Sequence, residues 1–299
     1  MENRRGWRWL ALALLVLGAL TFAASGDDDD DGTDTGDGQA QQFPAGSSLA
    51  EIQDSGEIKI GVKFDVPPFG FENPQTGEVE GFDVDLGRAI ADELGVEPNY
   101  IEAISDNRIP FLEDGTVDLI LSTMTITEER DLEIDFSEVY FIARGRVLVP
   151  GGSDIGGIED LGAGQRVCTA LGSTYADTIA EDAPEADLRL VDDYSACLEL
   201  LQTDAVDAVS TDDVILTGMI IQDDSLRMVG RPFTTEPYGV GIPEGDAALK
   251  RFVDNVLADY KEDGRWDAAY EKWVGQYTGV EQEPPTMTLE EAIRLAPLE

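Results

Sequence analysis

The segment 117–130, VDLILSTMTITEER, places hydroxyl side chains and one arginine directly after a short apolar run. An apolar run without alternation is typical of a strand that is covered on both faces. The following threonine and two acids indicate a helix start, so Arg130 is a cation in a first turn, where it opposes the helix dipole. A bound carboxylate would resolve that conflict. The alternative is that Glu128, Glu129 or Asp131 supplies the anion.

A second segment repeats this arrangement. Residues 201–211, LQTDAVDAVST, resemble residues 112–123, LEDGTVDLILST, and Asp212 follows the second serine–threonine pair. Both pairs stand at the carboxyl end of a predicted strand, where α/β sheets bind ligands. The repeat therefore indicates two similar α/β lobes. Asp212 is a candidate site residue, and its alternative role is to cap a helix.

A glycine and two hydroxyl side chains precede another predicted helix. The segment 170–174, ALGST, contains Ser173 and Thr174 at the helix start. Backbone N–H groups and hydroxyls at such a position suit an anion.

The composition excludes several classes of site. The 299 residues include 62 acidic residues, 20 basic residues and no histidine. Histidine metal sites and histidine-based catalytic triads are thereby excluded, and we expect no metal and no cofactor. The negative charge argues against nucleic acid as a partner. It is spread along the chain, which we interpret as the surface of a halophile, since concentrated salt screens self-repulsion.

Residues 1–25 have the pattern of a secretory signal peptide, with arginines before an apolar run and small residues after it. The sequence therefore predicts export to a periplasmic or extracellular location, with membrane tethering if this segment stays uncleaved. Residues 26–45 are acidic and of low complexity, which predicts a disordered tether. A calcium loop is the alternative, but Gly38 stands where its closing glutamate should be.

The chain has two cysteines, Cys168 and Cys197. Export favours a disulfide between them, which would stabilise the fold by roughly 3–4 kcal/mol. Two buried free thiols are the alternative.

Strand and helix patterns alternate along the chain, which predicts an α/β fold. The predicted strands are Glu57–Val62, 98–103, 165–169, 188–191 and 238–242. The predicted later helices are 196–201, 247–260, 266–273 and, after the end of the ordered core at Pro284–Pro285, Leu289–Leu295. The last of these begins with a capping box at 288–291.

Several motifs in consistent order resemble those of the polar-amino-acid solute-binding proteins of ABC importers (family 3, with the type II periplasmic-binding-protein fold). They are GFDVDLGRAI (81–90), STMTITEER (122–130), DFSEVY (135–140), LGST (171–174) and DGRW…KW (263–273). The resemblance implies two α/β lobes joined by two hinge crossovers, closing on a ligand. The implied divisions are lobe 1 (46–143 and 241–280), lobe 2 (144–240) and a C-terminal extension (281–299).

The resemblance also implies roles for the candidate residues. Arg130 would hold the α-carboxylate of an amino acid, and Asp212 would bind its ammonium group. Thr123, Thr125 and Thr174 would assist Arg130. The full set of predicted ligand-binding residues is Arg130, Asp212, Arg108, Thr125, Thr123, Thr174, Ser173, Lys63, Phe69 and Ser122.

The segments SDNRIP (105–110) and TDDVILTG (211–218) resemble the glutamate/aspartate-binding branch of that family. There the arginine, here Arg108, would grip the side-chain carboxylate, and Lys63 would add a second cation. Arg108 could instead pair with Asp106, and Lys63 could be a solvated loop residue. The histidine that some binders of acidic ligands carry has no counterpart here, where Tyr194 stands near its position.

Together these features predict an exported, non-catalytic and monomeric receptor. It would capture L-glutamate, and also L-aspartate, and deliver it to an ABC permease. A protein of the same fold that binds glutamine or another polar amino acid is the alternative. An enzyme of this fold, such as a dehydratase or a cell-wall lyase, would need a positioned acid or base. A membrane-receptor sensor would need an output domain.

Overall fold

The computed structural model describes residues 42–295, which form two α/β lobes. The predicted signal peptide, the calcium-loop alternative and most of the predicted tether lie outside this range. No helix within it is long and apolar enough to cross a membrane.

The first part of the chain builds most of lobe 1. Its elements are α1 (Ser48–Ser55), β1 (Glu57–Val62), β2 (Asp65–Val66), β3 (Gly70–Glu72), β4 (Val79–Glu80), α2 (Phe82–Leu94), β5 (Glu97–Glu102), α3 (Arg108–Glu113), β6 (Leu119–Ile120), α4 (Glu128–Asp131) and β7 (Asp135–Phe136). Strand β1 has the predicted bounds and pairs in parallel with β5 and β6. Its residues Ile58, Ile60 and Val62 share one face of the sheet and are fully buried, so that face is covered by other elements.

The second lobe follows without interruption. Its elements are β8 (Phe141–Pro150), β9 (Arg166–Ala170), α5 (Thr174–Asp182), β10 (Asp187–Val191), α6 (Tyr194–Gln202), β11 (Ala208–Asp212), α7 (Asp213–Gln222), β12 (Leu226–Val229) and β13 (Thr235–Tyr238), with a 3₁₀ turn at Ile158–Asp160. The main sheet has the order β10-β9-β11-β8-β12. Cys168 on β9 and Cys197 on α6 form the predicted disulfide, and both are fully buried.

Two strands carry the chain between the lobes. β8 leaves lobe 1 and β13 returns beside it in antiparallel pairing, with Phe141 opposite Tyr238. The chain then forms β14 (Gly241–Ile242), which joins the lobe 1 sheet between β6 and β7. The sequence predicted one strand over 238–242, but the structure has two short strands because the chain changes sheets between Tyr238 and Gly241.

The last elements pack mainly on lobe 1, although residues 276–278 contact α7 of lobe 2. They are α8 (Ala247–Glu262), α9 (Arg265–Tyr270), a π-helical turn (Glu271–Gly275), α10 (Gln276–Thr278) and α11 (Leu289–Leu295). The π turn interrupts the helix predicted over 266–273. Ala292 on α11 is fully buried, and the Leu289 N–H donates to Glu138 at 2.9 Å. The prediction that the ordered core ends at Pro284–Pro285 was therefore wrong, because Ala292 belongs to a buried hydrophobic cluster.

Candidate functional site

A small polar cavity, with free space of only about 10 Å³, lies between the two lobes. Its lining is polar throughout: Ser105, Arg108, Thr123, Thr125 and Arg130 from lobe 1, and Ser173, Thr174, Tyr175, Tyr194 and Asp212 from lobe 2. Most of these residues follow strands or begin helices, the position where open α/β sheets bind ligands.

Arg108 is buried at the start of α3, and its donors are mostly directed at backbone carbonyls. Nε donates to Ser105 at 3.0 Å, and Nη1 donates to Ser122 at 3.0 Å and to Thr123 at 3.2 Å. Nη2 crosses the cleft to the Gly172 carbonyl at 3.1 Å. Because the first three acceptors belong to lobe 1, they fix the guanidinium and leave Nη2 facing the cleft. Arg108 forms no ion pair with Asp106 or with any other residue in the described range.

A strained backbone conformation at Thr123 sets the direction of the Thr123 carbonyl, which accepts from Arg108. Thr123 has φ +44°, in the left-handed region that threonine rarely adopts. Its N–H donates to Asp83 at 2.9 Å, and the Tyr140 hydroxyl donates to the same carboxyl at 2.8 Å. Burial raises the pKa of Asp83 to about 7. Sequence reasoning missed Asp83 because it reads as an ordinary first-turn acid of α2.

Arg130 approaches the same point from α4. Its Nη1 donates to the Thr125 carbonyl at 2.7 Å and its Nη2 to the Gly172 carbonyl at 3.0 Å. Burial lowers the pKa of Arg130. None of Glu128, Glu129 and Asp131 forms an ion pair with it across residues 42–295. The Gly172 oxygen, which accepts from both Arg108 and Arg130, thus occupies a position suited to a carboxylate oxygen.

Lys63 is a third buried cation; it lies beside the cavity, in contact with two of the lining residues, rather than in the lining itself. It is only 1 % exposed, its Nζ donates to the Ser105 hydroxyl at 2.8 Å, and it lies 5.8 Å from the centre of the Tyr194 ring. Burial, and then the charge of Arg108, lowers the pKa of Lys63 to about 7. The alternative of a solvated loop lysine is therefore wrong.

Two buried carboxyl groups, those of Asp212 and Glu236, lie near the cations of the site. Asp212 holds the N-cap position of α7, but its side chain does not cap the helix and instead accepts from the Tyr175 hydroxyl at 2.9 Å. Burial raises the pKa of Asp212 well above its usual range. The buried Tyr238 hydroxyl faces this carboxyl without reaching hydrogen-bonding geometry. Glu236, which sequence reasoning missed, accepts from the hydroxyls of Thr125 at 2.8 Å and Thr174 at 3.1 Å.

Three predicted ligand-binding side chains have other partners. Phe69 is fully buried in an aromatic cluster with Phe82, Phe141 and Tyr238, away from the cavity lining. The Ser122 hydroxyl donates to the Ala103 carbonyl at 2.7 Å. Ser122 therefore contributes to the site only through its backbone carbonyl, which accepts from Arg108. The Ser173 hydroxyl lines the cavity but donates to the Ala170 carbonyl at 2.6 Å.

Comparison with known proteins identifies the chain's family. The sequence model of the bacterial extracellular solute-binding proteins, family 3, matches residues 58–276. The chain belongs to this family. The predicted two-lobe α/β fold is thereby confirmed, and the extracellular class of the family agrees with predicted export.

Named relatives of this solute-binding protein differ in ligand. It is 42% identical over 241 residues to an ABC transporter glutamine-binding protein, GlnH, of Bacillus subtilis (strain 168), covering 80% of this chain and 88% of the relative. It is 32% identical over 299 residues to the glutamate-binding protein GluB of Corynebacterium efficiens, covering 95% and 96% of the two chains. The structure of an ancestral arginine-binding protein bound to glutamine superposes with TM-score 0.70 and 36% identity, covering 74% of this chain and 98% of that one.

Close backbone contacts show that the lobes of this solute-binding protein are closed on the cavity. Gly172, at φ +72°, packs so near Asp106 that a Cβ would lie 2.6 Å from the Asp106 Cα. The Asp65 carboxyl of lobe 1 accepts from the N–H groups of Tyr194 (2.9 Å) and Ser195 (3.0 Å), where α6 begins in lobe 2. Acceptance at a helix N-terminus satisfies donors that have no partner within the helix.

Gly218 provides a test of this closure. It lies within α7 of lobe 2, and a Cβ there would collide with the Pro67 carbonyl of lobe 1. We expect Gly218→Ala to lower ligand affinity at least about tenfold, while the unliganded protein melts at an equal or higher temperature because alanine favours a helix by about 1 kcal/mol. Gly152→Ala, at a position with open space, is the control. Wild-type affinity in the Gly218→Ala protein would contradict this reading of the contact.

Proposed function

We propose that this protein captures L-glutamate, and also L-aspartate, between its lobes and delivers it to an ABC permease. One observation carries the ligand assignment: Lys63 and Arg108 are buried at one site without an ion pair among the described residues. Arg130 is the candidate for the α-carboxylate, which leaves the other two cations for a second carboxylate.

The charges favour a dicarboxylic ligand over a neutral one. Buried cations without a counter-charge are unfavourable, and the lowered pKa of Lys63 reflects this. A side-chain carboxylate would accept charge-assisted hydrogen bonds from Arg108 and Lys63. A glutamine amide could accept one such bond but would leave the positive charge uncompensated.

Glutamine is the second candidate ligand, because the relative with 42% identity is named as a glutamine-binding protein. The head group of glutamine would make the same contacts with Arg130 and Asp212. The two candidates therefore differ only at the side-chain end, where Lys63 and Arg108 lie.

The proposal predicts that the affinity for glutamate depends on pH in a way that the affinity for glutamine does not. Burial between the closed lobes lowers the pKa of Lys63 to about 7, whereas a bound carboxylate would hold the proton to higher pH. Glutamate binding should therefore take up a proton above pH 7, and its affinity should fall by up to about tenfold per pH unit until the pKa of the bound state is reached. Calorimetry at pH 8 in two buffers of different ionisation enthalpy measures the uptake. Equal pH profiles for glutamate and glutamine would contradict the role of Lys63.

The experiment that tests the function is calorimetric titration of the exported chain from Gly26 onward in concentrated salt. Copurified ligand is first removed by unfolding and refolding. Glutamate, aspartate, glutamine and arginine are then titrated separately. Tight glutamate binding with weak glutamine binding is expected. Tight glutamine binding without glutamate binding would keep a transport role and reject the side-chain assignment.

A further inference from the structure

Glu236 connects both lobes from behind the cavity. It belongs to the returning crossover strand β13 and is 4 % exposed. A single oxygen, Oε2, accepts hydrogen bonds from Thr125 of lobe 1 and Thr174 of lobe 2. Both threonines line the cavity, so whatever fixes their hydroxyls also determines what the ligand meets.

The direction of these hydrogen bonds follows from the groups themselves. An ionised carboxylate has no hydrogen, so each threonine hydroxyl must donate to it. A hydroxyl has one hydrogen, so Thr125 and Thr174 have none left for the ligand while they are bound to Glu236. The side of each hydroxyl that remains free can only accept a hydrogen bond.

We propose that Glu236 is a positioning residue that makes Thr125 and Thr174 acceptors for the ligand's ammonium group, beside Asp212. This assignment rests on the proposed function, in that the ligand is an α-amino acid. It replaces the sequence-based expectation that both threonines help Arg130 to hold the α-carboxylate, which needs donors rather than acceptors.

The charges around Glu236 agree with an ammonium site. Asp212 and Glu236 are both buried carboxyls, and the charge of Glu236 adds to burial in raising the pKa of Asp212. Arg130, which lies near both of them, directs its hydrogen bonds to the carbonyls of Thr125 and Gly172 instead. A donor-only cation placed between Asp212 and the two hydroxyls would complete the hydrogen bonding of all three.

A double-mutant cycle tests the proposal. The ligand-free wild type, Glu236→Gln, Thr125→Val and the double variant are titrated calorimetrically with glutamate and with glutamine, which share the head group. In Glu236→Gln, the amide introduced at position 236 can donate a hydrogen bond to the Thr125 hydroxyl. The hydrogen of that hydroxyl can then point toward the cavity and is no longer held away from the ligand. We expect each single change to lower affinity about tenfold to a hundredfold, and the double variant to be within about threefold of the weaker single variant. Thr125→Ser, which keeps the hydroxyl, should retain affinity.

Additive losses would overturn the proposal, because they would show that Glu236 acts independently of Thr125. Wild-type affinity in Glu236→Gln would overturn it as well. If Glu236→Gln does not fold, Thr125→Val and Thr125→Ser remain informative, since wild-type affinity in Thr125→Val overturns the assignment. Failure of the folded wild type to bind either amino acid would instead reject the proposed function, on which the assignment rests.

Discussion

Arg130→Ala is expected to abolish binding of every amino acid, with a loss of at least about a hundredfold. The α-carboxylate is common to all these ligands, and the guanidinium of Arg130 is the proposed partner for it. Removing one partner of a buried charge pair costs about 3–5 kcal/mol, and each 1.4 kcal/mol corresponds to about tenfold in affinity. The unliganded fold should change little, because the Gly172 carbonyl keeps Arg108 as a donor and only the Thr125 carbonyl loses one.

Calorimetric titration with glutamate and glutamine measures this loss. Arg130→Lys keeps the charge but lacks the planar fork, so an intermediate loss is expected. Arg227→Ala is a matched control, because Arg227 also donates to two backbone carbonyls, those of Gly151 and Ser153, but on the exposed surface of lobe 2. Binding by Arg130→Ala within about tenfold of the wild type would contradict the assignment.

The sequence predicts those parts of the fold that depend on local pattern. Alternating apolar residues placed β1 at Glu57–Val62, and a capping box placed α11 at Leu289–Leu295, both with the observed bounds. The box is present in the structure, where the Thr288 N–H donates to the Glu291 carboxylate at 2.9 Å. The burial of α11 on lobe 1 was not predicted, because it depends on contacts such as the bond to Glu138, which is 151 residues distant from Leu289 in the chain.

Long-range partners also explain which site residues were missed. Asp83 bonds to Thr123 across 40 residues, and Glu236 bonds to Thr125 across 111 residues. Neither carboxyl belongs to a local pattern that distinguishes it from the many solvated acids of this chain. Only the fold shows that both are buried.

The sequence identified several residues near the cleft but not the direction of each side chain. Ser122 and Thr123 are adjacent, yet the Ser122 hydroxyl points to the Ala103 carbonyl while Thr123 lines the cavity. The left-handed backbone of Thr123 breaks the regular alternation of side chains at that point. Phe69 lies in the turn between β2 and β3, but it packs into the aromatic cluster behind the cleft.

Arg108→Ala is expected to lower glutamate affinity at least about a hundredfold and also to lower the melting temperature. The affinity loss follows from the missing partner of the side-chain carboxylate. The stability loss follows because the carbonyls of Ser105, Ser122 and Thr123 lose their donor, and an unsatisfied buried acceptor costs about 1–3 kcal/mol. Part of the affinity loss will therefore affect all ligands alike.

Lys63→Met separates the loss of affinity from the loss of stability. Within residues 42–295, Lys63 donates to the Ser105 hydroxyl and to no backbone carbonyl, so its removal leaves no buried carbonyl without a donor. Methionine fills the buried space without a charge, so the melting temperature should be kept or raised. Glutamate affinity should fall about tenfold or more, while glutamine affinity should stay near the wild-type value. The ratio of glutamate to glutamine affinity is thus the decisive quantity in both variants, because it cancels any general weakening of lobe 1. A ratio unchanged from the wild type in both Arg108→Ala and Lys63→Met would show that neither cation reads the ligand side chain.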